Sequence, residues 1–285
     1  MASLKDLRRR IRATRSMQQI FKAMEMVAAA KLRRAQQRAQ ASTPYAAKIT
    51  QMLVNLTAAA PELDHPLFKV REVKTTALVV ITADRGFAGA YNTTVLRAVE
   101  QRLREAPKGA LQLVVVGRKG RDYLRRRGHP VLVAHTDLPG EASLEFARTL
   151  TQDLTARYLA GEVDRVEILY SHFVNALVRR IRTEVFLPVG GIDRGGATVD
   201  AGTIFEPDAE TLFAELLPRY ATARLFAALA DALASEHSAR MVAMGSARKN
   251  AGELVDSLTL TRNRLRQAAI TREIAELVGG AEALK

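Results

Sequence analysis

Apolar residues recur at alternating spacings of three and four from Leu4 onward. The stripe runs Leu4, Leu7, Ile11, Thr14, Gln18, Phe21, Glu25, Ala28, Leu32, Ala35, Ala39, Ser42, Ala46, Ile49, Leu53 and Leu56. Twelve of these sixteen positions are apolar, which is the period of a coiled-coil seam rather than that of an ordinary globular helix. The spacing predicts one long helix over 3–57, opened by Ser3 as its cap. The small residues Val27 to Ala30 admit a partner helix at close range. Pro44 removes a backbone donor and is expected to kink the helix or divide it.

The pattern changes after residues 61–72, where two prolines end the helical period. Thr76–Thr82 and Leu111–Val116 are short apolar runs rich in β-branched residues, read as buried strands. Pro130–Ala134 and Val166–Phe173 read as further strands, and Ile181–Leu187 as an antiparallel edge beside the last of them. Helical spacing fills 93–105, 117–128 and 143–160. Strands and helices alternating at these lengths predict a small, Rossmann-like, mostly parallel α/β domain. Residues 188–203 are glycine-rich and read as a loop.

Helical period returns near Asp208 and holds almost to the end, interrupted only at Pro218 and weakened at Gly245 and Gly252. Its apolar side is Leu225, Leu229, Leu233, Met241, Met244, Leu254, Leu258, Leu265, Ile270, Ile274 and Leu277, and Gly279–Gly280 reads as its stop. Neither terminal helix can bury its stripe alone, so the two are expected to pair as an antiparallel coiled coil. At a rise of about 1.5 Å per residue they reach roughly 80 and 105 Å, and the second overhangs the first by some 20 Å. That overhang carries Ile270, Ile274, Leu277 and Val278, apolar surface that calls for a sleeve. The segments are 1–60, 61–207 and 208–285: a helix, an α/β domain and a helix, together a rod on a globular base.

Composition narrows the chemistry. The 285 residues are 48% hydrophobic and 26% charged, as in a soluble globular protein, and no apolar run is long enough to span a bilayer. The charged N-terminus lacks the apolar stretch of a secretory signal. With no cysteine there is no disulfide, thiolate or Cys-ligated metal chemistry. The net charge of +13 is uneven: residues 1–60 hold twelve Lys/Arg against only Asp6 and Glu25. Such a surplus points to a polyanionic partner, whether nucleic acid, an acidic membrane surface or an acidic protein collar.

Catalytic signals are sparse. The loop Thr82–Asn92 joins a strand to a helix and bears glycines, but it is neither G-x-G-x-x-G nor a P-loop, so it reads as a tight turn ahead of a phosphate cradle. The five histidines are scattered without metal-ligand spacing, and no G-x-S-x-G occurs. Glu273 and Glu276 share a helix face, where solvation is the simpler reading. No catalytic, cofactor or metal site is expected.

Five strings then fall into a recognisable order: KAMEMVAAAKLRRAQ (22–36), TADRGFAGAYN (82–92), FEPD (205–208), ASEHSARMVAM (234–244) and RQAAITREIAELVGGA (266–281). Together they resemble the gamma-subunit family of F-type ATP synthases over essentially the whole chain. The last matches I-T-x-E-x-x-E-x-x-x-G-A at Ile270, Thr271, Glu273, Glu276, Gly280 and Ala281. The resemblance implies a non-catalytic central shaft of a proton-driven rotary motor, turning inside a hexamer of alpha and beta subunits. It also implies a foot shared with the epsilon subunit on the c-subunit ring. Partner-binding roles carried over on the matched motifs are Met24 at the beta-subunit lever, Arg266 and Gln267 as a catch on a beta-subunit loop, Arg240 and Thr271 nearby, and Glu206 facing the ring. The cysteine-containing insert of plastid members is missing. With no transit-like leader, the resemblance implies a bacterial protein held peripherally on the cytoplasmic side of the membrane. The competing reading, carried by the basic first helix, is a nucleic-acid-binding coiled coil.

Overall fold

In the computed structural model, residues 3–59, 65–138, 140–189, 206 and 208–282 are described. The elements in chain order are α1 (Leu4–Ala59), a 3-10 turn (Pro66–Phe68), β1 (Thr76–Ile81), α2 (Tyr91–Glu105), β2 (Leu111–Val116), α3 (Arg118–Arg126), β3 (Val131–His135), α4 (Leu144–Leu159), β4 (Arg165–Phe173), β5 (Arg179–Leu187) and α5 (Ala209–Glu282). Every strand and helix read from the pattern is present. The 3-10 turn, capped by the His65 ring, is an addition. Among the described residues, no helix is long and apolar enough to cross a membrane.

The chain divides into two compact units, residues 28–240 and residues 1–27 with 241–285. The larger unit is built on a five-stranded sheet of order β3-β2-β1-β4-β5. β1, β2, β3 and β4 are parallel, and β5 closes the edge antiparallel to β4. β1 lies at the centre and is buried along its whole length, as its unbroken apolar run requires. One sheet face packs on α2 and α3 through Leu78, Val80, Val95, Val99, Leu113 and Leu124. The other carries the larger core. There, Val79, Val114 and Ile168 meet α4 and the helix pair, with Ile49, Leu53 and Leu56 of α1 and Leu217, Ala221, Leu225 and Leu229 of α5.

In the smaller unit α1 and α5 run antiparallel. The Arg248 Nε donates to Glu25 Oε2 at 2.8 Å, and Gln18 lies against Gly252. Leu7, Ile11 and Thr14 are buried on one side of this seam, and Met244, Ala251 and Val255 on the other. No described member of the α1 stripe is exposed, so the period read from sequence is the seam that forms.

Four expectations need correction. Pro44 does not divide α1, a single 56-residue helix, and Pro218 does not break α5, a single 74-residue helix. Both prolines sit on exposed faces, so the carbonyl each leaves unpaired can bond to water. Gly279–Gly280 does not stop α5, which continues to Glu282. Gly279 lacks the left-handed backbone of a helix C-cap. Leu254 is 49% exposed, and its neighbour Val255 occupies the seam instead.

Candidate functional site

The far end of α5 is the most exposed apolar surface of the smaller unit. Residues facing each other across the antiparallel pair have numbers adding to about 270, as Glu25–Gly245 and Gln18–Gly252 do. α1 begins at Leu4, so α5 has no α1 residue beside it beyond about position 266. There Ile270, Ile274, Leu277 and Val278 are 48, 56, 74 and 57% exposed. Their spacing of four, three and one puts them on one face of the helix, about 100° wide. Arg266 stands one turn before Ile270, and Gln267 stands one turn before Thr271. All three polar residues are exposed. Apolar surface rimmed by directional donors has the composition of a docking surface.

On α1 of the same unit the outward face carries Met17, Ile20, Met26 and Val27, all exposed, among Lys5, Arg8, Arg9, Arg10, Arg12, Arg15 and Lys22. The two acids of this stretch balance only one of those cations, Arg9. Asp6 accepts from the Ser3 hydroxyl and from Arg9, and the Ser3 bonds hold its carboxyl below the usual range. Glu25 is engaged by Arg248. Met24 is half-buried, between the seam and this face.

Arg240 sits elsewhere, in the larger unit, and its donors are taken up within the chain. It pairs with Glu236 at 2.6 Å, donates to the Gly86 carbonyl at 3.2 Å, and meets His237 Nδ1 at 3.3 Å. Ser235, Glu236, His237 and Ser238 are four consecutive polar residues, all buried. Burial raises the Glu236 pKa against the pull of Arg240. Burial, then Arg240, depresses His237 to about 4. A neutral ring fits the bonds: Nδ1 accepts from Arg240, and Nε2 donates to the Gly140 carbonyl at 3.4 Å. Further along α5, Ser238 donates to the Ala176 carbonyl at 2.7 Å. Asp231 accepts from the Phe173 amide at 2.8 Å and holds the His172 ring at 2.5 Å. α5 is thus fastened to the loop after β1, the loop before α4, and the β4–β5 hairpin.

The loop after β1 is itself tied to the protein. Asp84 accepts from the amides of Arg118 at 2.7 Å and Leu138 at 2.9 Å, and Asn92 accepts from the Ala83 amide at 2.9 Å. Thr82 donates to the Val116 carbonyl and accepts from the Gly120 amide. Gly117 holds φ at +104°, and a Cβ there would stand 2.2 Å from the Thr82 carbonyl oxygen, so only glycine fits. These bonds hold Thr82, Ala83, Asp84 and Asn92 in a fixed strand-to-helix turn. Among the described residues, no group of acids and histidines is arranged to hold a metal ion.

Glu206 is exposed shortly before α5, whose first turn is capped by Asp208 accepting from the Thr211 amide at 2.7 Å. The structure therefore brings Arg266, Gln267 and Thr271 together in the smaller unit, where Met24 lies on α1, and puts Arg240 and Glu206 in the larger unit. The rest of the FEPD string and most of the glycine-rich loop lie outside the described residues. Sequence reasoning missed the buried Ser235–Ser238 run and the Glu25–Arg248 pair. Four successive polar residues within the largely apolar stretch Leu225–Met244 of α5 were the available signal for the first.

Comparison with known proteins decides the family. The ATP synthase family model matches residues 3–284. The ATP synthase gamma chains of Desulforamulus reducens and Moorella thermoacetica are each 47% identical over 285 residues, covering all of both chains. The chain belongs to the ATP synthase gamma-chain family. A chain from the Tetrahymena thermophila mitochondrial ATP synthase central stalk and c-ring aligns at TM-score 0.64 and 25% identity, over 80% of this chain and 99% of that one. One from the Euglena gracilis mitochondrial ATP synthase shares the fold at TM-score 0.71 and 20% identity, over 99% and 94%. Gamma-chain membership over the full length favours the rotary-shaft reading over the nucleic-acid-binding one.

Proposed function

We propose that this chain is the central rotor shaft of an F-type ATP synthase. In this reading the paired terminal helices turn inside a hexamer of alpha and beta subunits, and the α/β domain stands with epsilon on the c-subunit ring. Functionally the chain divides as 1–60, 61–207 and 208–285: shaft helix, foot and shaft helix. It forms no bond in the reaction; it carries torque between proton-driven ring rotation and the nucleotide sites of its neighbours. It is held peripherally, through the complex, on the cytoplasmic side of a bacterial membrane.

The observation that carries the proposal is the uncovered end of α5. Its apolar face needs a surrounding surface, and Arg266, Gln267 and Thr271 point outward to engage it. Arg266 and Gln267 act as a catch on a beta-subunit loop, with Thr271 beside them. Met24 lies at the beta-subunit lever, amid a basic face that suits an acidic partner. Glu206 faces the polar loops of the ring. Arg240 serves indirectly, by fixing the loop after β1 to α5. Mixing the chain with alpha and beta subunits tests the reading. It predicts a stoichiometric, ATP-hydrolysing complex containing one copy of this chain, and failure to join such a complex would refute it.

A further inference from the structure

The smaller unit has a seam that is polar at two successive heptads, and both polar residues face glycine. Gln18 and Glu25 are seven residues apart on α1, as Gly245 and Gly252 are on α5. A Cβ on Gly245 would stand 3.1 Å from Glu25 Oε1, and one on Gly252 would stand 2.9 Å from Gln18 Nε2. The α5 backbone is thus approached by two side chains that a larger residue would displace. Glu25 is further tied to Arg248 at 2.8 Å, one turn beyond Gly245. The buried apolar members of the seam are Leu7 and Ile11 on α1 and Met244, Ala251 and Val255 on α5. Apolar layers of that kind distinguish poorly between registers displaced by a turn, whereas a polar seam position specifies one.

We propose that Gln18, Glu25, Gly245, Gly252 and Arg248 form a register pin that fixes the axial alignment of the two shaft helices. A slip of one turn takes both polar side chains off their glycines and breaks the Arg248 pair. A slip of one heptad leaves only one of the two matches, because Glu25 then faces Gly252 while Gln18 faces Thr259, or Gln18 faces Gly245 while Glu25 faces Ser238. Both matches and the ion pair coincide in a single alignment. The pin's role in torque rests on the shaft reading above: helices that slide past one another under load lose angular position without losing their pairing. These are positioning residues and touch no nucleotide.

The chain has no native cysteine, so spin labels can be placed at Arg8→Cys and Ser246→Cys, both exposed, both in the smaller unit and, in the native register, about 24 Å apart along the helix axes, so that an axial slip changes the distance directly. Pulsed electron–electron distance measurements are made on the full chain, free and assembled with alpha and beta subunits. With the pin intact, one narrow distance is expected. In Gln18→Ala/Glu25→Ala a second population appears, displaced by about 5 Å, one helical turn. Glu25→Arg/Arg248→Glu, which keeps a cross-helix ion pair, keeps the single distance, while Glu25→Arg alone splits it. One unchanged distance in Gln18→Ala/Glu25→Ala would overturn the pin, as would a split distance in the exchanged pair. Failure of the otherwise native chain to assemble would instead count against the shaft reading, and the free-chain distances would still judge the pin.

Discussion

Arg240 and Arg266 belong to the same helix and each falls in a matched string, yet their surroundings are opposite. Arg240 is held among Glu236, His237 and the Gly86 carbonyl, with its side chain 12% exposed. Arg240→Ala leaves the Glu236 carboxylate buried without its partner and should cost about 3 kcal/mol in urea unfolding. A loss below about 1 kcal/mol would show that the pair does not hold the loop. Arg266→Ala should leave the stability of the free chain within about 0.5 kcal/mol, since its side chain is exposed. The same change should weaken assembly or coupling by about 1–3 kcal/mol if its partner is desolvated. Undiminished ATP synthesis in that variant would contradict the catch.

His237 adds a pH dependence at the same scale. Its pKa is held at about 4, against 6.5 in an unfolded chain, so the unfolded state takes up the proton first as pH falls. The stability from keeping the ring neutral is present above pH 6.5 and is lost on acidification toward 4, by about 2 kcal/mol at pH 5. Lys31, Arg240 and Glu141 face the ring from the surrounding elements. Glu236 works in the opposite sense, because its raised pKa favours the folded state as pH falls. Comparing wild type with His237→Asn isolates the histidine: wild type should lose about 2 kcal/mol more between pH 7 and pH 5. Parallel pH profiles would contradict it.

At the scale of elements, the hydrophobic period was enough to place nearly everything. The α1 stripe and the strands β1 and β2 are visible because burial decides their residues. What was not visible depends on which way a residue faces. Pro44 and Pro218 are helix breakers by type, but on a wet face each removes one donor and leaves the helix continuous. Leu254 and Val255 are both apolar, and only the pairing with α1 selects the second. The exposed tip was legible as an apolar end without a partner, whereas the Arg240 cluster was not, since it joins residues about 150 positions apart. A proline at a buried seam position should behave differently from Pro44. Ala28 is 1% exposed, and Ala28→Pro should destabilise α1 by about 3 kcal/mol or more. In rotation assays it should reduce torque more than removal of the last ten residues does. The reverse ranking would place the load at the tip.

For the molecule as a whole, charge and exposed apolar surface point the same way. Of the cations of residues 1–60, Arg9 pairs with Asp6 and Arg34 and Arg38 pair with Glu141, which still leaves a basic excess on the first helix. The apolar end of α5 awaits a bearing. The polar bonds from α5 to three loops of the α/β domain give torque a path into the foot. The most direct test is mechanical. The chain is assembled with alpha and beta subunits fixed to a surface, a bead is attached to an exposed position of its α/β domain, and ATP is added. The account predicts that the bead turns in one direction, in steps that follow ATP hydrolysis. A complex that hydrolyses ATP while the bead stays at a fixed angle would contradict it.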